Sequence, residues 1–421
     1  MTADLVVKAR AKCDVDPLNP PDFTTGEALQ LAPHGGDIIS ASEQYQIAID
    51  QWIDLSTGLN PDSYPIDDIP AAAFQHLPYL QPDFLAASDH YYNSSQSIAL
   101  IGSQMLIACL PTCVQKYPVL LPDVGYHEHR QSWFNAGFTL NTYPAFELQA
   151  TLNYIEASIE SDCAQHLVII NPNNPSGLLI EPLQLLAWAE KLASGCHLIV
   201  DEAFIDMRPQ MSVLRHQWPK NVIVLRSFGK FFGLAGIRIG FAFCQGDLKQ
   251  KIEKLLGLWM INGPAQYIAA RAMRDTQWQG EAIANISVAA QMTQQLFAPL
   301  INYIHIVTAS DGHWHCHEML FSSYQMPESI ALTLQHYFAC KGILLRVITL
   351  PADHGLNLTA PRAANNQLQQ KNALSPKAPS LAILRVGVLS VQNKVQQQTV
   401  AQCIKDFIAR PLNSSLDSDN I

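Results

Sequence analysis

Lys230 lies in Ser227-Phe228-Gly229-Lys230, directly after the apolar run Val222–Leu225 and ahead of Gly233, Gly236 and Gly240. A lysine amine, once deprotonated, is a nucleophile that forms imines with carbonyl groups. The same S-x-x-K spacing occurs in serine acyl-transferases, but those place it at a helix start with further motifs that this chain lacks. The plainer alternative is a solvated loop lysine. Eight residues on is Arg238, in apolar company (Leu234, Ala235, Ile237, Ile239) that argues against a surface ion pair. A serine hydroxyl, an arginine fork and backbone amides together suit a phosphate.

Upstream, Asp201 closes His197-Leu198-Ile199-Val200-Asp201, with Glu202-Ala203-Phe204 after it. A carboxylate at the end of a buried strand is costly unless a cation pairs with it. A protonated pyridinium nitrogen is one such partner; a strand-end cap or a metal ligand are the alternatives. Asn171-Pro172-Asn173-Asn174-Pro175-Ser176-Gly177 ends another strand and projects an asparagine amide, although a simple turn would have the same composition.

These residues need a scaffold that holds them together. Short apolar runs, Pro118–Leu121, Leu167–Asn171, His197–Asp201, Asn221–Arg226 and Ile239–Phe243, alternate with helical patterns near Tyr126–Ala136, Leu148–Ile159, Pro182–Ala193 and Leu248–Leu256. Strands apolar on both faces are those of a parallel sheet covered by helices, so the expectation is an α/β fold with right-handed crossovers. Ligands in such sheets bind at the C-terminal strand ends, where each motif above falls.

Composition bounds the rest. With 421 residues, 48% hydrophobic and 15% charged, the chain holds enough apolar material for two or three domains, or for one large α/β body with a satellite. A net charge of −10 without a long Lys/Arg run argues against nucleic acid. Nine cysteines, odd in number and irregularly spaced, argue against a disulfide framework and for a reducing, cytoplasmic setting. The first sixteen residues contain no continuous apolar core, so no signal peptide is expected. The stretch His90–Gln115 lacks Asp, Glu, Lys and Arg, but Asn93, Ser94, Ser95, Gln96, Ser97, Ser103, Gln104 and Pro111 interrupt it. It reads as a buried helix entered through a tight loop, not a membrane span. Residues 351–380 read as a long mobile loop, and the tail after Pro411 as frayed. His313, His315 and His317 alternate as metal ligands on one strand face could; an exposed or partly buried strand without metal is favoured.

Taken together, N-P-N-N-P-S-G, D-E-A-F, S-F-G-K and G-I-R-I-G, in that order, resemble the fold-type I pyridoxal-phosphate enzymes of the class I/II aminotransferase group, from about His34 to the C-terminal region. Within the group the chain looks most like the threonine-phosphate decarboxylases of cobalamin biosynthesis, relatives of the histidinol-phosphate aminotransferases. The signals are His34-Gly35-Gly36-Asp37 and Asp54-Leu55-Ser56-Thr57-Gly58-Leu59-Asn60-Pro61. The resemblance implies a large domain (61–300) with a mostly parallel sheet between helices, and a smaller α+β domain from both termini (1–60 and 301–421).

It also implies roles for individual residues. Lys230 matches the lysine that carries pyridoxal 5'-phosphate as a Schiff base, and Asp201 the acid facing the pyridine nitrogen. Asn174 matches the asparagine on the phenolic oxygen. Ser227, Arg238 and the turn Gly102-Ser103-Gln104 match the phosphate ligands, and Tyr126 matches the aromatic stacked on the ring. Arg385 matches the arginine that grips the substrate carboxylate, while His34, Asn60 and Arg346 match further substrate-binding positions. Three departures stand out: Phe204 where the family often has tyrosine, Leu77-Pro78-Tyr79 where many relatives have Tyr-Pro-Asp, and the 351–380 insertion.

The implied reaction is decarboxylation of L-threonine O-3-phosphate to (R)-1-amino-2-propanol O-2-phosphate. The alternative is amino transfer on a phosphorylated amine such as histidinol phosphate, and a lesser one is a non-catalytic partner protein of this fold. Which bond at Cα breaks depends on which stands perpendicular to the cofactor ring, a matter of positioning. A homodimer, a small phosphorylated amino-acid substrate, and neither metal nor membrane complete the expectation.

Overall fold

The apolar runs that end in Asp201 and Ser227 are central strands of a seven-stranded sheet. In the computed structural model the strands are β1 (Ile53–Asp54), β2 (Ser97–Leu100), β3 (Val119–Pro122), β4 (Leu140–Tyr143), β5 (His166–Ile170), β6 (Leu198–Asp201), β7 (Val222–Ser227) and β8 (Gly240–Phe243), followed by β9 (His315–Glu318), β10 (Phe321–Pro327), β11 (Ile343–Leu344), β12 (Arg346–Thr349) and β13 (Leu381–Gly387). The structure describes residues 34–161, 163–308, 315–318, 320–350 and 380–409. The expectations for the N-terminal residues, His313, positions 351–379 and the tail after Pro411 lie outside these.

The chain divides into two units, one from Leu59 to Ile286, the other made of the residues up to Gly58 and from Ser287 on. The second boundary falls earlier than the expected 300. Helix Thr276–Thr308 runs unbroken through it for 33 residues, so no turn marks the place in the sequence.

In the unit 59–286 the strand order is β2-β8-β7-β6-β5-β3-β4. β8 pairs antiparallel with both β7 and β2, and the other pairings are parallel. The expectation that Ile239–Phe243 is parallel is therefore corrected. A strand apolar on both faces reads the same in either direction, and its direction is set by the connection. Here only helix Phe228–Phe231 and the turn Ala235–Ile237 join β7 to β8, too little for a crossover. The charge-poor stretch His90–Gln115 holds a helix end, β2 and helix Ser103–Cys109. No helix among the described residues is long and apolar enough to cross a membrane. Leu106, Trp133, Val168, Ile199, Ile223, Leu225 and Ala242 meet in one buried cluster, each large side chain adding about 1.5–3 kcal/mol on leaving water. Helix Pro182–Lys191 shows the local logic: proline near its start and Leu185, Leu186, Trp188 and Ala189 on its buried face.

The other unit is built on an antiparallel sheet, β12-β13-β10-β9, with β1 and β11 paired beside it in parallel. Its core gathers Phe297, Phe338, Leu384, Ile404 and Phe407. His315 and His317 lie on β9, opposite Tyr324 and Ser322 of β10. Among the described residues no cluster of potential metal ligands occurs.

Candidate cofactor and substrate sites

β2, β3, β5, β6 and β7 run in the same direction, and β8 runs against them. The C-terminal ends of the five and the start of β8 therefore share one sheet edge. Gly102-Ser103 follows β2, Tyr126 follows β3, Asn174 follows β5, Asp201 ends β6, and Ser227 and Lys230 end and follow β7.

The phosphate side of this edge is built by close backbone approach. Ser227 is the register partner of Gly240, and Gly240 in turn pairs with Leu100. A Cβ at Gly240 would lie 2.4 Å from Ser103 N, so only glycine lets the Gly102-Ser103 turn approach. Gly102 has φ +69°, and a Cβ there would lie 2.8 Å from Arg238 Nη2. Ser103, Ser227 and the Arg238 guanidinium thus surround one spot at the start of helix Ser103–Cys109. The Gln104 side chain bridges two neighbouring side chains. Its Oε1 accepts from Tyr126 Oη at 2.9 Å and its Nε2 donates to Glu128 Oε2 at 2.9 Å. Burial, then the carboxylates of Glu128 and Asp201, push the Tyr126 phenol up to about 12, so it stays protonated as the donor of this chain.

On the ring side, Asp201 is buried, 3% exposed. Its Oδ1 accepts from Ala203 N at 3.0 Å, and its Oδ2 meets His129 Nε2 at 2.9 Å. His129 was not singled out from sequence. It lies three residues after Tyr126, and that spacing puts both on one face of helix His127–Asn135 and its first turn. Of the three asparagines after β5, Asn171 bonds Ile180 through both side-chain atoms, and Asn173 bonds Val124 O and Ser176 Oγ. Those two build the turn, which carries Asn174 beside them, half-buried.

Lys230 Nζ lies 5.5 Å from the centre of the buried Phe204 ring. The lysine loop is fixed by Asn60, whose backbone N donates to Lys230 O at 2.9 Å and whose Nδ2 donates to Phe231 O at 3.0 Å. Asn60 Oδ1 accepts from Asp62 N at 3.0 Å. The Asn60 side chain thus holds the lysine loop. Leu77 and Tyr79 are exposed, Tyr79 edge-on to Trp259 at 5.9 Å.

The two arginines expected to meet the substrate belong to the other unit. Arg346 of β12 is the direct register partner of Arg385 of β13. Arg385 is buried and donates from Nη2 to Ser56 O. Ser56 Oγ donates to Asp54 Oδ1 at 2.6 Å and accepts from Gly36 N at 2.7 Å. The His34-Gly35-Gly36-Asp37 segment is anchored to the same strand end, with His34 itself exposed. Burial, then repulsion from Arg346, pushes Arg385 down to about 10, with Asp54 opposing; the group stays charged at neutral pH. Burial likewise lowers Arg346.

Two neighbouring guanidinium groups suit a doubly anionic molecule. A buried carboxylate oriented by an imidazole, a lysine, and a serine–arginine–amide cluster fit the pyridine nitrogen, the carbonyl and the phosphate of pyridoxal phosphate.

Known proteins resemble this chain in sequence and in fold. The family model described as aminotransferase class I and II matches residues 71–342. The threonine-phosphate decarboxylase of Pseudomonas aeruginosa is 36% identical over 335 residues, which cover 79% of this chain and 95% of that protein. A histidinol-phosphate aminotransferase of Sinorhizobium meliloti, solved with pyridoxal-5'-phosphate, superposes with a TM-score of 0.63 at 18% identity, covering 90% of this chain and 96% of that one. The L-threonine-O-3-phosphate decarboxylase of Porphyromonas gingivalis superposes with a TM-score of 0.59 at 14% identity, covering 85% and 99%.

Proposed function

The chain belongs to the aminotransferase class I and II family, and from that premise we propose that it is a pyridoxal-phosphate-dependent lyase that decarboxylates L-threonine O-3-phosphate to (R)-1-amino-2-propanol O-2-phosphate, a step of cobalamin biosynthesis. The observation that carries the reading is the likeness to the Pseudomonas aeruginosa decarboxylase over 95% of that protein. The paired Arg346 and Arg385 support it, because this substrate carries both a carboxylate and a phosphate.

Bound at the sheet edge, pyridoxal phosphate supplies a ring that takes up the electron pair released when a bond at the substrate Cα breaks. Asp201, oriented by His129, pairs with the pyridine nitrogen and keeps it protonated. Ser103, Ser227 and Arg238 hold the phosphate, Asn174 the phenolic oxygen, and Tyr126 one face of the ring. Phe204 brings no hydroxyl to the phenolic oxygen. Lys230 would anchor the cofactor, and its ammonium form would be the proton donor to the substrate Cα. Arg385 takes the substrate carboxylate, and Arg346 with His34 takes its phosphate.

We include a homodimer in the reading. Phe74, Leu77, Leu80, Leu258 and Trp259 are all exposed on two segments that meet at Tyr79 and Trp259, and a second copy would remove this apolar surface from water. Sedimentation of the wild type against Leu77→Glu tests it, with a monomeric wild type as the contrary outcome. The reading also includes a cytoplasmic location.

The deciding experiment gives the cofactor-loaded protein L-threonine O-3-phosphate without any keto acid. Steady CO2 release with the amine phosphate as product, abolished in Lys230→Ala, is expected. No CO2, with amination of the cofactor by histidinol phosphate, would instead make the protein an aminotransferase.

A further inference from the structure

Phe204 is 6% exposed and stands just beyond the strand end that carries Asp201. Lys230 Nζ lies over its ring, 5.5 Å from the centre. Backbone contacts hold both partners. Ala203 N donates to Asp201 Oδ1 at 3.0 Å, which fixes the turn leading to Phe204. Lys230 O accepts from Asn60 N at 2.9 Å. A Cβ on Gly229 would lie 2.7 Å from Ala235 Cα, so the lysine turn is packed closely from its other side. The amine therefore meets an aromatic face within the unit 59–286.

The face of an aromatic ring is the negative side of its quadrupole, and it attracts an ammonium group but not a neutral amine. At such range the attraction shifts the balance between the two forms by a factor of about 3 to 30, more as water is excluded. A leucine in the same place would desolvate the amine without attracting it, and desolvation alone favours the neutral form.

The two forms serve different reactions. A neutral amine can remove the proton on the substrate Cα, which begins amino transfer. An ammonium group has no lone pair for that, but it can give a proton to Cα. Loss of CO2 needs only the second: the C–C bond breaks, its electron pair passes to the cofactor ring, and a proton then arrives at Cα. The balance closes with one proton from water. The substrate enters as an ammonium ion, the displaced lysine is released as one and gives its proton to Cα, and the departing amine product is reprotonated by water.

We propose that Phe204 is a specificity-determining residue that acts through Lys230, its ring face holding the lysine in the ammonium form and so favouring decarboxylation over amino transfer. The inference rests on the lyase reading above.

The test titrates Lys230 in the full-length protein freed of cofactor. Short pulses of acetic anhydride across a pH series, read by mass spectrometry of the Lys230 peptide, give the midpoint. Phe204→Leu removes the ring. Pentafluorophenylalanine at position 204 keeps the ring's shape but reverses the charge of its face, so it decides the matter even where the leucine variant folds poorly. Each should lower the midpoint by about 0.5 to 1.5 pH units. The other titratable and charged groups of this sheet edge, Asp201 with His129, Tyr126 with Glu128, and Arg238, are unchanged in both variants. Loaded with cofactor and given L-threonine O-3-phosphate, both variants should aminate the cofactor about threefold or more as often per CO2 released, read by the absorbance of the aminated form. An unmoved midpoint in the pentafluoro protein overturns the inference, and so does a lowered midpoint with the wild-type ratio of amination to CO2. Either result beside steady CO2 release by the wild type leaves the lyase reading standing. A wild type that aminates the cofactor and releases no CO2 overturns both.

Discussion

His129 Nε2 meets Asp201 Oδ2 at 2.9 Å, with both side chains buried. The imidazole is therefore the partner that lets a carboxylate remain at the end of a buried strand, and it fixes which oxygen faces away from it. His129→Ala removes a hydrogen bond to a charged group, worth about 1.5–3 kcal/mol. The expected result is a loss of roughly tenfold to a hundredfold in kcat with little change in KM, because the proposed partner of Asp201 is the cofactor and not the substrate. His129→Asn, which keeps a donor near the same place, should recover part of the loss. Unchanged kcat in His129→Ala would remove the residue from the machinery.

Gln104 links Tyr126 to Glu128 through two bonds of 2.9 Å. The amide thereby sets the rotation of the phenol proposed to cover the cofactor ring. Gln104→Leu removes its bonds to Glu128 and to the phenol, each such loss costing about 1 kcal/mol. Cofactor affinity, read by fluorescence titration, should fall about fivefold to tenfold, and the circular dichroism band of the bound cofactor should change shape. Tyr126→Phe should produce the smaller effect, since the ring remains. An unaltered band in Gln104→Leu would show that the ring is held by packing alone.

Arg385 and Arg346 are cross-strand partners, and burial with mutual repulsion already weakens Arg385 as a cation, down to about 10. Arg385→Lys keeps a charge but loses the two-pronged fork. KM for L-threonine O-3-phosphate should rise roughly tenfold to a hundredfold, with cofactor affinity unchanged. Arg346→Ala should raise KM for the phosphorylated substrate more than KM for L-threonine itself. Equal increases for the two would separate Arg346 from the phosphate. The rates of CO2 release against substrate concentration decide both points.

The parallel strands and the motifs at their ends were legible because each is a short run apolar on both faces that closes on one chemically distinct residue, as in the run ending at Asp201. Direction was not legible for β8, whose Gly-Phe-Ala-Phe has no polarity of its own. β4 was missed because Leu140-Asn141-Thr142-Tyr143 is half-exposed at the sheet edge and has no apolar run. Close backbone approaches, such as Gly240 against Ser103, follow from glycine spacing and the family pattern. His129, Glu128 and the side-chain roles of Asn60 and Gln104 depend on which atoms face each other after folding. Residue type and spacing do not carry that information.

His166 and His197 stack at 5.5 Å inside the unit 59–286. His166 Nε2 lies 2.8 Å from Gln115 O, and His166 Nδ1 accepts from His197 N at 3.1 Å. Both bonds are satisfied only by the neutral ring with its proton on Nε2, so protonating His166 breaks one of them. Burial lowers His166, and burial followed by repulsion from His166 pushes His197 down to about 4. Both folded values lie below the ordinary histidine value of about 6.5, so the unfolded chain binds the extra protons first. The stability these rings confer is therefore complete above pH about 6.5 and is lost as pH falls toward about 4. Discounted for the solvent that reaches His197, the loss from that ring is on the order of 2 kcal/mol. Urea unfolding of the wild type should show a midpoint that drops steeply across this window. In His197→Gln the drop should be shallower, because one of the two titrating rings is gone. An equally steep drop in that variant would assign the acid sensitivity to other groups.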